Sequence, residues 1–189
     1  GISWVLERKE QLGIRILNIS VGACSKRGMS ENSALVKGVN RAWDAGLVVV
    51  VAAGNNGPRT MSITTPGISR KVITVGCSDD DREVLVGGNR MVDYSGRGPT
   101  AACICKPDLV APGCSVVSCS SRADKYTIKS GTSMSTPIVS GAVALLLERF
   151  PDMSNKDVKL RLRESSVDIG LPRNQQGWGL LDVGKMIGK

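Results

Sequence analysis

The chain of 189 residues is long enough to bury a substantial core, and its hydrophobic content of 41% is ordinary for a globular protein. Aromatic residues make up only 3% of the chain, so the core is expected to be mostly aliphatic. The formal net charge is +8, but Lys and Arg are scattered and no apolar run is long enough to span a bilayer, so we expect neither nucleic acid nor a membrane among the partners.

The first half of the chain alternates helical and strand patterns. The helical stretches carry apolar side chains at three- and four-residue spacing, and the strands are continuous apolar runs bounded by turn residues. In chain order they are a short helix before Gly13, a strand over residues 14–21, a helix from about Ser30 to Gly46, and strands over residues 47–53 and 72–76. This alternation predicts an α/β fold with a parallel sheet flanked by helices.

The second half begins with polar structure and ends in helices. Its predicted elements are a polar hairpin or loop over residues 79–94, a short strand over residues 115–119, a helix from Ser133 to about Phe150, a helix from about Ser154 to Ser165, and a terminal turn and helix over residues 177–187. Ser154 and Asp157 have the spacing of a capping box, which predicts where the second of these helices begins.

A run of small residues, Gly-Thr-Ser-Met-Ser-Thr-Pro, occupies residues 131–137 directly before an apolar helical stretch. A nucleophilic serine is commonly displayed on such a turn, at a helix N-terminus whose backbone N–H groups favour negative charge. The pattern predicts that Ser133 is a catalytic nucleophile. The simpler interpretation, a serine N-cap, leaves the Met and Pro of the run unexplained.

The chain contains no histidine. A serine hydroxyl is a weak nucleophile at neutral pH and needs an adjacent base, most often His. Two interpretations follow: either Ser133 is structural, or the group that activates it lies outside these residues.

Four stretches together resemble the subtilisin-like serine peptidases, in the order expected for that family. They are the run at 131–137, the strand and Gly-Asn-Asn-Gly turn at 48–57, the strand at 16–22, and the segments at 93–100 and 106–113 that lead to the serine. The Gly-x-Ser-x-Gly turn of α/β-hydrolases does not occur at Ser133, which argues against that unrelated class.

The resemblance implies roles for eight residues. Ser133 would be the nucleophile, and the Asn55 side chain together with the Ser133 backbone N–H would stabilise the oxyanion. One wall of the cleft, at Ser20, Val21 and Gly22, would hold an extended peptide by strand addition. The opposite wall, at Ala52, Ala53 and Gly54, would leave a roomy and mostly apolar pocket. Asn55 also fits a plain turn residue, and the small residues also fit tight strand packing.

In this family the triad runs Asp, His, Ser along the chain. The resemblance therefore implies that residues 1–189 are the C-terminal portion of one peptidase domain, with its N-terminal part missing, and that this portion is inactive as a peptidase. It also implies that the apolar strand from Ile14 to Ile19 lacks a neighbour, so we expect association with a second copy through this edge. The alternative is a non-catalytic member of the fold that acts in binding or regulation.

The sequence also bears on metal binding and on the redox state of the six cysteines. Cys103 and Cys105 are separated by one residue, which is not a usual zinc spacing. The resemblance makes Ca²⁺ possible, but no cofactor is required, and the acidic run at 79–81 lacks the spacing of an EF-hand. The other cysteines lie in or beside apolar runs, apart from Cys24 in a loop. We expect reduced thiols and a cytoplasmic location, with a secreted, disulfide-bonded protein as the alternative.

Overall fold

A computed structural model describes residues 1–23, 31–121 and 125–189. The helices are α1 (Ile2–Arg8), α2 (Ala34–Asp44), α3 (Thr132–Arg149), α4 (Asn155–Ser165), α5 (Arg173–Gln176) and α6 (Val183–Ile187). The strands are β1 (Ile16–Ile19), β2 (Val48–Ala52), β3 (Ile73–Cys77), β4 (Val84–Val86), β5 (Asn89–Met91), β6 (Leu109–Ala111), β7 (Val116–Cys119) and β8 (Tyr126–Lys129).

The main sheet contains four parallel strands in the order β1-β2-β3-β6, which confirms the predicted α/β class. In register, Ile16 pairs with Val48, and Val50 pairs with Ile73. Every residue of β2, β3 and β6 is buried, as expected for strands covered on both faces. Within the described residues β1 pairs only with β2, so its other side is an open edge.

Helix α3 packs against β1, β2 and β3 and is apolar around most of its circumference. The next helix in the chain, α4, begins with the predicted capping box: Ser154 Oγ accepts from the Asp157 N–H, and the Asp157 carboxylate accepts from the Ser154 N–H. Helix α2 begins at Ala34 with Ser33 as its N-cap. The predicted start at Ser30 lies outside the described residues.

Two antiparallel hairpins lie outside the main sheet, β4–β5 and β7–β8. The first confirms the hairpin predicted over residues 79–94. Strands β6 and β8 and the short helix α5 were not predicted, because each is too short to show a period. No helix among the described residues is both long enough and apolar enough to cross a bilayer.

Candidate active site

Ser133 lies in the first turn of α3, where the prediction placed it. The helix follows Gly131, whose φ of 137° strains any residue with a side chain. The first backbone N–H groups of a helix have no partner within the helix, so the Ser133 N–H is available to a developing negative charge.

The Ser133 hydroxyl donates to the carbonyl oxygen of Ser20 at 2.7 Å. Ser20 follows directly after β1, so the carboxyl end of the edge strand meets the N-terminus of α3. A peptide carbonyl accepts a hydrogen bond but does not take up a proton at neutral pH. The partner of Ser133 in this chain therefore orients the hydroxyl without activating it.

Asn55 lies beside the same helix terminus, held by Thr132. The Asn55 Oδ1 accepts from the Thr132 N–H and from the Thr132 hydroxyl, both at 3.0 Å. The Thr132 Oγ1 in turn accepts from the Gly54 N–H at 3.1 Å. Because Oδ1 is engaged, Nδ2 is the donor that Asn55 presents. Thr132, which was not among the predicted site residues, positions both Asn55 and the turn after β2.

A cavity of about 290 Å³ opens beside Ser133. Five of the predicted site residues line it, together with three that were not among the predicted site residues. The lining residues are Gly22, Ala52, Gly54, Asn55, Asn56, Thr64, Thr132 and Ser133. Five of the eight residues have polar side chains, so this cavity is more polar than the substrate pocket that the resemblance implies. Its polar groups come from the segment after β2 and from the first turn of α3.

Thr64 is the principal residue that sequence reasoning missed. A Cβ added to Gly22 or to Gly54 would overlap the Thr64 side chain, so both glycines are needed where the chain passes it. Thr64 is buried, and its hydroxyl donates to the Ala53 carbonyl at 3.2 Å. No motif surrounds Thr64 in the sequence. Its place in the pocket follows from the pairing of its segment with the end of β2.

Three residues predicted to form the walls of the cleft, Ser20, Val21 and Ala53, do not line the cavity. Ala53 is fully buried and is not among the residues that line the cavity, and its carbonyl accepts from the Thr64 hydroxyl. Its role in a substrate pocket stays a prediction. Val21 has 63% of its surface exposed beside the cleft, and Ser20 contributes its carbonyl oxygen. Ala23 forms an antiparallel bridge with Thr65 that keeps this wall extended.

The acidic run at 79–81 does not fit a calcium site. The Asp79 Oδ1 accepts from the N–H groups of Gly113 and Cys114, and the Asp80 Oδ2 accepts from the Ser95 N–H at 2.6 Å. These carboxylates brace loops and do not converge, and burial raises the pKa of Asp80. Over the described ranges, no three acidic, Cys or His side chains are grouped to hold a metal ion.

All five cysteines in the described part of the chain are unpaired. They are Cys77, Cys103, Cys105, Cys114 and Cys119. Cys77 is buried against the Tyr94 hydroxyl, at 3.2 Å, and burial raises the pKa of its thiol to about 12. Such a thiol is a small apolar group and not a nucleophile. Cys24 lies outside the described residues.

Comparison with known proteins assigns most of the chain to the family that its motifs resemble. A family model described as "Subtilase family" matches residues 1–179. Serine protease AprX of Bacillus subtilis (strain 168) is 38% identical over 183 residues, covering 88% of this chain and 41% of that protein. Subtilisin DY of Bacillus licheniformis is 34% identical over 185 residues, covering 97% of this chain and 59% of that protein. The chain therefore spans between 41% and 59% of the length of these relatives.

Solved structures agree in fold. Sphericase matches with a TM-score of 0.77 at 30% identity, over 96% of this chain and 61% of that one. The S41 psychrophilic protease matches with a TM-score of 0.73 at 28% identity, over 96% of this chain and 62% of that one. Both likenesses cover nearly the whole of this chain.

Proposed function

Because this chain belongs to the subtilase family, we propose that residues 1–189 are the serine-bearing, C-terminal portion of one serine endopeptidase domain. The observation that carries the proposal is the meeting of Ser133 and Asn55 at one cavity, beside an extended and exposed wall. The substrates of such an enzyme are peptides or proteins.

In the proposed reaction the Ser133 Oγ attacks the carbonyl carbon of the scissile peptide bond, and a base takes the hydroxyl proton. The carbonyl oxygen becomes an oxyanion, which the Asn55 Nδ2 and the Ser133 N–H stabilise. The C–N bond then breaks as the amine accepts the proton, leaving an acyl group on Ser133. Water releases that group in a second, equivalent step.

The base and its orienting carboxylate are proposed to come from outside these residues. The chain has no histidine, and Ser133 donates to a carbonyl oxygen that does not take up its proton. We therefore expect the chain by itself to be inactive as a peptidase.

The substrate is proposed to lie along Ser20, Val21 and Gly22 as an added strand, with the side chain before the cut in the cavity. Thr64 and Asn56 make the cavity smaller and more polar than small wall residues alone would. The proposed preference is accordingly for side chains that a cavity of about 290 Å³ accommodates.

A serine-directed fluorophosphonate tests the catalytic role. The chain of 189 residues and the complete product of its gene are treated side by side, and the labelled peptide is identified by mass spectrometry. We expect label on Ser133 in the complete product, none in its Ser133→Ala variant, and none in the chain alone. Label on another serine with Ser133 untouched contradicts the assignment, and label on Ser133 in the chain alone contradicts the need for an outside base.

The alternative, a non-catalytic binding protein, is supported by the absence of histidine. It predicts that the complete gene product binds extended peptides yet takes no label at Ser133. Peptide binding measured beside the labelling distinguishes the two proposals.

A further inference from the structure

One carboxylate oxygen outside the cavity receives three hydrogen bonds. The Asp79 Oδ1, two residues after the end of β3, accepts from the backbone N–H of Gly113 at 2.8 Å and from that of Cys114 at 3.1 Å. It also accepts from the Cys77 thiol at 3.1 Å. Hydrogen bonds from backbone N–H groups to a carboxylate are stronger than those between neutral groups. Asp79 therefore joins the end of β3 firmly to the segment after β6.

The same peptide group also holds the turn that carries the proposed nucleophile. The Gly113 carbonyl accepts from the Gly131 N–H at 2.9 Å and from the Tyr94 hydroxyl at 3.3 Å. In a trans peptide the C=O and the following N–H point in opposite directions. Asp79 thus binds one end of the peptide and Gly131 binds the other, and hydrogen bonds arranged in series strengthen one another.

The conformation of Gly131 determines where Ser133 lies. The φ of Gly131 is 137°, and its carbonyl accepts from the Met134 N–H at 2.8 Å, so Ser133 lies within the turn that these bonds close. Gly113 is buried, and a Cβ added to it would overlap the Ser135 side chain in the next part of the same turn. Because the two segments are packed this closely, a shift of Gly113 is transmitted to the serine.

We propose that Asp79 is a positioning residue for the nucleophile. Its carboxylate fixes the Gly113–Cys114 peptide, and that peptide fixes Gly131. Gly131 in turn sets the direction of the Ser133 hydroxyl and N–H. Asp79 does not line the cavity, so it acts through this turn alone. The effect on catalysis rests on the proposed function, whereas the connection from Asp79 to Gly131 is measurable without it.

Three variants of Asp79 in the complete gene product separate the place of the carboxylate oxygen from its charge. Asp79→Ala removes the acceptor, Asp79→Asn keeps an oxygen in the same place without the charge, and Asp79→Glu keeps the charge on a side chain longer by one methylene. Asp157→Ala is the matched control, because it removes an exposed carboxylate that accepts from a backbone N–H at the start of α4.

We expect Asp79→Ala and Asp79→Glu to lower kcat by roughly 10–100-fold and to change KM little, because a displaced nucleophile affects the transition state while the substrate wall remains. Asp79→Asn should recover most of this loss. Each rate is divided by the amount of Ser133 that a fluorophosphonate labels at completion, so a loss of folded protein is not counted as a loss of kcat. Asp157→Ala should melt below the parent with an unchanged kcat.

Hydrogen exchange of the Gly131 amide, followed by NMR in the same proteins, tests the connection without catalysis. Asp79→Ala should speed this exchange by roughly tenfold or more, because the peptide that accepts from Gly131 is no longer held. Asp79→Asn should exchange more slowly than Asp79→Ala, and Asp157→Ala should exchange at the rate of the parent.

An equal kcat for Asp79→Ala and the parent, with Ser133 labelled in both, would overturn the positioning role. An equal loss in Asp79→Ala and Asp79→Asn would also contradict it. If Asp79→Ala does not fold, a Glu variant as active as the Asn variant contradicts the proposal, and a less active one supports it. If the parent takes no label at Ser133, the proposed function fails. Gly131 exchange then decides the connection: faster exchange in Asp79→Ala supports it, and unchanged exchange contradicts it.

Discussion

The Asn55 Oδ1 accepts two hydrogen bonds from Thr132, one from the backbone N–H and one from the hydroxyl, both at 3.0 Å. This pair joins the turn after β2 to the N-terminus of α3. It holds Asn55 and Ser133, the two residues proposed to stabilise the oxyanion, at one cavity, although they are far apart in sequence.

Asn55→Ala in the active protein should therefore lower kcat by roughly 10²–10³-fold and change KM little, because the donor acts on charge that develops in the transition state. The magnitude is the known cost of removing the oxyanion asparagine of subtilisin. Steady-state kinetics on a peptide substrate give both constants, and Asn89→Ala on the exposed β5 is the matched control. An unchanged kcat would show that Asn55 is only a turn residue.

Thr64→Ala should enlarge the cavity, because the lost atoms are those that Gly22 and Gly54 pack around. The ratio of kcat/KM for a substrate with a bulky residue before the cut to that for alanine should rise by roughly tenfold or more, as expected when a pocket loses the volume of about one methyl group. Thr60→Ala, on the exposed loop nearby, should leave this ratio unchanged. The same ratio for Thr64→Ala and the parent would place the substrate side chain elsewhere.

Most of the six cysteines should titrate as free thiols in denaturant without reductant. In the folded chain Cys77 should alkylate far more slowly than the exposed Cys103, Cys105 and Cys119, because burial raises the pKa of the Cys77 thiol to about 12. Peptide mapping after timed alkylation measures both. Recovery of two or fewer thiols would favour the secreted alternative over the predicted cytoplasmic location.

Lys106 should make stability depend on alkaline pH. Burial lowers the pKa of Lys106 from 10.5 to about 8, so between these values the unfolded chain binds a proton that the folded chain does not. The free energy of unfolding should therefore rise with pH across this window, by about 3 kcal/mol relative to a chain without the group. Cys77 and Tyr94, whose pKa values are raised by burial, act in the opposite direction above pH 9 and 10.

The contribution of Lys106 is isolated by comparing the parent with Lys106→Met in urea unfolding at several pH values. The stability difference, parent minus variant, should increase from pH 8 to 10.5, while Cys77 and Tyr94 contribute equally to both proteins. A difference that stays constant with pH would mean that Lys106 keeps its proton throughout.

The open edge of β1 should lead to association. An apolar groove of about 1040 Å³ lies beside this edge, between α1 and α2, with Leu17 and Ile19 on its floor. Unpaired strand N–H and C=O groups next to apolar surface invite a second chain. Light scattering of the chain alone should show a mass that rises with concentration, and Leu17→Lys should reduce the rise.

The exposed hairpin β7–β8 supplies the control for that experiment. Val117 and Ile128 pair across it and are 61% and 66% exposed, so they form a second apolar surface. At every concentration, Ile128→Lys should give the same mass by light scattering as the parent chain. If Ile128→Lys reduces association and Leu17→Lys does not, the hairpin and not β1 is the contact.

The sequence by itself determined the features that depend on neighbours along the chain. The valine run of β2 marks a buried strand because every one of its side chains is apolar, and Ser154 with Asp157 marks the start of α4 because a capping box is local chemistry. The motif around Ser133 and the turn at Asn55 identified two of the cavity residues for the same reason.

Only the tertiary structure decided what meets across the fold. Thr64 lines the cavity because its segment passes two glycines at the ends of other strands, and Lys159 reaches residues 70–72 because α4 packs beside the turn into β3. Neither residue has a distinctive local pattern, so no period or spacing reveals it. Such contacts are set by the order of strands in the sheet and the packing of helices on it, which join segments far apart in the chain.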